Sequence, residues 1–241
     1  MSQQIETGHA KNVANFEKLI EQVKTYSAYN PSIDNLKIPK LTSLYNDALT
    51  SLNTVKEKRI ANKNAISDRQ KAYEGLKPKT TRVINQLDIL GLNKTTMEQA
   101  KSLNRLIQGS KKNNTSITER QTDTSEGKST SRQSYTQTAE NFSKLLQLIA
   151  TLSSYNPNTD DIKLANLTTY HNSLVSTTQV VNQTEAELNT ALMARNSILY
   201  AEPFGLHETA LNVKKYVKSV YGATSPEYKK VSKIEFRTVE H

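Results

Sequence analysis

One tripeptide, Tyr29-Asn30-Pro31, returns as Tyr155-Asn156-Pro157. The same offset of about 126 residues brings Asn15-Phe16 onto Asn141-Phe142, Lys18-Leu19 onto Lys144-Leu145, Leu41-Thr42 onto Leu167-Thr168 and Arg69 onto Arg195. The chain reads as a duplicated unit. Two copies of one apolar pattern imply two copies of one supersecondary element, and a fold built by packing them.

The pattern within each copy is helical. Val13, Phe16, Leu19, Ile20 and Val23 fall at spacings of three and four, which predicts a helix over 12–28, and Phe142, Leu145, Leu146 and Ile149 repeat it over 139–154. Both run into Tyr-Asn-Pro, where the proline lacks an amide donor and disfavours the helical region for the asparagine before it, so the first helix should stop there. A second segment spans 38–74 and 164–201 without an internal break. At 1.5 Å per residue that is one helix of roughly 55 Å in each copy. Gly75 and Pro78 then mark a stop and a start, Gly91 should close a third helix, and Thr95-Thr96 with Glu98 should open a fourth over 97–108. In the second copy, 201–206 adds about four residues at the Gly75 junction. Val213 to Gly222 parallels Val83 to Gly91, Ser225-Pro226-Glu227 opens a terminal segment, and the alternation after Ile234 predicts a short extended tail.

Composition agrees with this reading. Only 35% of residues are apolar and glycine and proline number 7 and 6, which favours long helices with wide polar faces over a sheet-rich fold with many turns. The expected fold is all-α: an elongated helical bundle of two homologous helical-hairpin units, each dominated by one very long helix. Residues 1–108 form the first helical repeat and 137–241 the second. Between them, 109–136 is a polar Ser/Thr/Lys-rich linker.

Reactive chemistry is thinly represented. There is no cysteine, which excludes disulfides, thiolate metal sites and cysteine nucleophiles. His9, His171, His207 and His241 show no metal-ligand spacing, so neither metal nor cofactor is expected. Carboxylate pairs would have to come from Asp34, Asp160, Asp161, Glu185 or Glu187, and Asp34 and Asp160, just after Tyr-Asn-Pro, fit caps or turns better than a catalytic pair. Gly109-Ser110-Lys111-Lys112 lacks the preceding strand and upstream glycine of a phosphate loop.

The formal charge of +9 is unevenly spread, about +7 over 1–110 and about zero over 135–241. Lys214, Lys215 and Lys218 with Lys229, Lys230 and Lys233, interleaved with tyrosines, form the strongest candidate for binding an anion or nucleic acid. The competing reading is an amphipathic helix whose lysines face solvent and whose tyrosines sit at the core margin. Tyr29, Asn30, Pro31, Tyr155, Asn156 and Pro157 are read as a structural turn.

The expected function is a non-enzymatic helical scaffold or protein-interaction module, because duplication of long helices builds surface rather than a pocket. The alternative is a nucleic-acid-associated protein using the basic face of the first repeat and residues 214–233, and an enzyme ranks third. A protein partner is expected first, with self-association open. No stretch approaches 18 consecutive apolar residues, so no membrane span is expected and the chain is read as cytoplasmic.

Overall fold

The computed structural model describes residues 3–109 and 130–237, and among these every regular element is helical. In chain order they are α1 (Gln3–Lys24), a 3₁₀ turn (Asp34–Leu36), α2 (Ile38–Glu74), α3 (Leu76–Asp88) and α4 (Lys94–Gln108). Then follow α5 (Thr130–Ala150), a second 3₁₀ turn (Asp160–Ile162), α6 (Leu164–Tyr200), α7 (Leu206–Tyr221) and α8 (Pro226–Ser232). The long helices match their sequence-predicted bounds to within one residue, and each has 37 residues. α5 begins inside the segment expected as linker, so residues 130–136 are helical. Residues 110–129 of that segment lie outside those described.

The short helices end earlier than expected. α1 and α5 stop at Lys24 and Ala150, where amides begin to bond three residues back: Thr25 N to Gln22 O at 3.2 Å, and Thr151 N to Leu148 O at 3.2 Å. The threonine hydroxyls, donating to the same carbonyls at 2.7 Å in both places, satisfy acceptors that a helix end leaves open. The Tyr-Asn-Pro element therefore follows the helix end. Its prolines are buried and its asparagines exposed. Each tyrosine hydroxyl reaches across the turn to a carbonyl seven residues on, Tyr29 to Leu36 O at 2.7 Å and Tyr155 to Ile162 O at 2.8 Å. Burial raises both phenol pKa values, that of Tyr155 to about 12, because the anion could not be solvated there.

The chain forms two compact units, and they divide it differently from the sequence repeats. The first unit comprises Met1–Ala61 with Glu185–His241, and the second is Asn62–Thr184. α2 gives residues 38–61 to the first unit and 62–74 to the second; α6 gives 164–184 to the second and 185–200 to the first. In the first unit α1 packs on α7, and α7 on α8. Its core joins Phe16, Leu19 and Val23 of α1 to Leu41 and Ala48 of α2, Leu199 of α6, and Val213 and Val217 of α7. In the second unit α5 packs on α4, and α4 on α3. There Phe142, Leu145 and Ile149 meet Leu76, Val83 and Leu87 of α3, Ile107 of α4, and Leu167 and Leu174 of α6.

The buried rows of the long helices explain how each serves two cores. Leu41, Ala48 and Val55 keep a seven-residue spacing, after which the row breaks and resumes at Ala65 and Arg69. Leu167, Leu174 and Val181 likewise break before Ala191 and Arg195. In both helices the break brackets the change of unit.

Two junctions differ in mechanism from their sequence reading. Gly75 keeps an ordinary helical φ of −76°, so it is not a left-handed stop. A Cβ there would lie 3.3 Å from the Tyr170 hydroxyl, which donates to Ala72 O at 2.5 Å, so glycine admits that close approach. α4 is capped not by Thr95 or Thr96 but by Asn93, whose side chain accepts from Thr96 N at 2.9 Å. Gly91, with φ of +63°, does turn the chain after α3, and Ser225 caps α8 by accepting from Tyr228 N at 3.0 Å.

Candidate functional site

In the first unit the link between α6 and α7, residues 201–205, stands where α2 and α3 are separated by Gly75 alone. The link is tight. Gly205 N donates to Ala201 O at 2.6 Å, and a Cβ on Gly205 would fall within 2.6–3.0 Å of the backbone at Tyr200 and Ala201, so only glycine fits. The turn pushes Phe204 outward to 63% exposure, opposite Ile33 at 59% in the Tyr-Asn-Pro turn. Between them lies a mainly apolar groove of about 370 Å³, lined also by Leu36, Pro203, Tyr216 and Lys215. The floor is fixed: Thr209 is buried, and Tyr216 packs edge-on against Tyr29 with ring centroids 5.3 Å apart. A groove of this kind can accept one or two apolar side chains. It presents no nucleophile paired to a base.

The basic segment divides into three groups. Lys214 is half-buried, donates to Ile234 O and stands 5.1 Å from the Phe236 ring; burial lowers its pKa, with Glu235 acting the other way. It ties the tail to α7. Lys215 is exposed, 3.2 Å from Asn212 Oδ1 and 3.7 Å from Glu208, and Lys218 lies over the Tyr228 ring at 5.7 Å. Lys229, Lys230 and Lys233 are exposed on α8 and its end. Lys230 and Lys233 share a shallow groove with Lys18 but also with Glu17 and Glu21 of α1, which offset the positive potential there. The interleaved tyrosines are already engaged: Tyr216 with Tyr29, Tyr221 with Tyr26 at 5.5 Å, and the Tyr221 hydroxyl accepting from Ala28 N at 2.9 Å.

The other candidates resolve into structural roles. Asp34 and Asp160 sit in the first turn of the 3₁₀ elements, paired with Lys37 at 3.1 Å and Lys163 at 2.7 Å, and they belong to different units. Asp161 is held by Arg82 and Lys79; the hydrogen bond from Arg82 is the chief cause of its lowered pKa. Glu187 pairs with Lys58 at 2.8 Å. His9 is buried with Nδ1 2.7 Å from the Tyr200 hydroxyl, His207 faces the same tyrosine, and His171 packs near Phe142. His241 lies outside the described residues, as do Ser110, Lys111 and Lys112, while Gly109 ends α4 with φ of +74°. Among the described residues no group of histidines and carboxylates could hold a metal ion, and no helix is long and apolar enough to cross a membrane.

Two arrangements escaped the sequence reading. After α8 the chain leaves the helix and docks on α1: Asn12 donates to Arg237 O at 2.8 Å and accepts from Arg237 N at 2.9 Å, and Asn15 donates to Glu235 O at 2.7 Å. The alternation after Ile234 signalled that the chain leaves the helix, as it does, but nothing marked Asn12 as its dock. The second is a pair of buried arginines, Arg69 at 3% exposure and Arg195 at 1%, visible in the sequence only as one more repeated residue. The chain matches no protein-family model, no curated protein and no solved structure.

Proposed function

We propose that this chain is a non-enzymatic interaction module, a duplicated helical scaffold that presents a docking groove to a protein partner. The observation that carries the reading is the apolar groove between Ile33 and Phe204. Phe204 is a large apolar side chain held outward by a glycine-dependent turn, at a link where the two halves of the chain differ. Exposed aromatics beside a preformed apolar recess are the usual anchors of protein recognition. Lys215 on the groove wall favours a partner segment that pairs an apolar side chain with an acidic neighbour. The duplication is supported by the equal lengths of α2 and α6 and by the matching tyrosine bonds across the two turns.

A displayed library of random peptides tests this. The intact chain should enrich peptides that combine bulky apolar and acidic residues, and Phe204→Asp or Ile33→Asp should lose them. Equal enrichment by the wild-type chain and both variants would remove the groove from the argument.

Nucleic-acid binding has one observation in its favour, the exposed Lys229, Lys230 and Lys233 on α8. It predicts a retarded band at about 50 mM salt that fades steeply as salt rises. Unchanged mobility, or a shift that survives the triple change of these lysines to glutamate, would exclude that reading.

A further inference from the structure

Arg69, near the end of α2 in the second unit, is a buried cation without a counter-charge among the described residues. Its side chain is 3% exposed, its Nε and Nη1 are buried with no acceptor, and among the described residues no carboxylate pairs with it. What it has is an aromatic face: its guanidinium carbon lies 4.2 Å from the centre of the Tyr135 ring on α5. Tyr73, one turn along α2, packs edge-on against the same ring at 4.7 Å and donates to Tyr135 O at 3.2 Å. Stacking on a ring offsets part of the desolvation of a guanidinium, but it leaves the in-plane N–H donors unspent. Arginine does not escape by losing its proton. A buried donor without an acceptor costs free energy, and in native proteins such a group calls for a specific cause.

The counterpart arginine shows what is missing. Arg195, in the first unit, donates from Nε at 3.1 Å and from Nη2 at 2.8 Å to Asn196 Oδ1. The residue after Arg69 is Gln70, which does not accept from it and instead lines a groove of about 400 Å³. That groove is bounded also by Tyr73, Tyr135 and Thr138, with Lys77 and Glu74 contributing one charge of each sign. Arg69 does not itself line that groove, but the Tyr135 ring on which it stacks does.

We propose that Arg69 anchors an oxyanion-binding site in the second unit, entered from the groove beside Tyr135. The ligand class is a small molecule bearing a carboxylate or phosphate, with a flat or apolar body to lie against Tyr73 and Tyr135. The oxyanion supplies the acceptors that Asn196 supplies to Arg195, and a planar fork of donors suits either group.

Calorimetric titration and thermal unfolding of the full chain test this, in buffers of matched ionic strength, with inorganic phosphate, acetate and benzoate as probes. The expected result is saturable binding, with the folded-to-unfolded ratio of the second unit rising about a hundredfold at a hundred times Kd. Benzoate should bind more tightly than acetate if the rings contribute, while a preference for phosphate would assign the site to phosphoryl ligands. Arg69→Met should abolish binding yet hold or gain stability without ligand, and Arg195→Met should keep binding. Gln70→Asn is the variant least disruptive to folding; it installs the acceptor found beside Arg195 and should weaken binding at least tenfold. No saturable binding of any probe, or equal binding by wild type and Arg69→Met, would overturn the proposal and leave Arg69 as a hydrated structural residue.

Discussion

Removing one oxygen from Tyr29 isolates the bond that fixes the turn between α1 and α2. In Tyr29→Phe the ring keeps its edge-on contact with Tyr216, so the change is confined to the hydroxyl and its acceptor, Leu36 O, 2.7 Å away. Leu36 is buried, and its carbonyl would be left without that donor. Losing a hydrogen bond and stranding a buried acceptor costs roughly 1–3 kcal/mol. For a chain of this size that corresponds to a fall in Tm on the order of 4–8 °C at the middle of the range. Tyr155→Phe should cost a similar amount through Ile162 O, and the two should add within about 0.5 kcal/mol, since they share no partner and lie in separate units. Tyr155 also gives a pH signature. Its neutral form is favoured in the folded state, with a pKa of about 12, so its contribution is complete below the unfolded value near 10 and is lost as pH rises from there towards 12. Urea unfolding followed by circular dichroism between about pH 8 and 12 should show a steeper alkaline loss for wild type than for Tyr155→Phe. A change below about 0.3 kcal/mol for either variant, or parallel pH curves, would refute the claim that these hydroxyls hold the turns.

Asn12→Ala should release the tail from α1, cost about 1–3 kcal/mol, and speed tryptic cleavage after Lys233; an unchanged digestion rate would contradict the docking geometry. Gly8→Ala, within α1 and with open space around the added methyl, should stabilise by about 0.5–1 kcal/mol, whereas Gly205→Ala should destabilise because backbone atoms occupy the space; paired melting curves decide both. Phe204→Asp should leave stability within about 0.5 kcal/mol of wild type, since the ring is largely exposed, while abolishing peptide capture.

What sequence could and could not reveal follows from the range of the interactions. The bounds of α2 and α6 were legible because apolar spacing and the absence of breakers act locally, and the same holds for the buried rows of α1 and α5. Which helix covers which row was not. An apolar stripe requires a partner but names none: α1 meets α7 from the far end of the chain, whereas α5 meets α4, the helix that precedes it. Gly75 was read as a terminator because glycine usually is one; its cause is Tyr170, a residue far along the sequence. The basic segment looked uniform in sequence, yet Lys214 faces a carbonyl and a ring while Lys229 and Lys230 face solvent. The tail that folds back over α7 decided that.

Positions related by the offset of about 126 residues do not all make the same contacts. Tyr29 and Tyr155 make the same bond in both units, and folding explains them. Other positions related by the same offset differ in what they contact. Arg195 has an acceptor in the next residue, while Arg69 does not. α4 continues helical to Gln108 and donates from that side chain to Lys77 O, whereas α8 ends at Ser232 and yields to a tail held by asparagines. Gly75 closes one junction in a single residue, while residues 201–205 leave Phe204 standing in water. Phe204 in one unit is a large apolar group left in water, and Arg69 in the other holds buried donors without acceptors, so these are the two groups on which the proposed docking groove and oxyanion site rest.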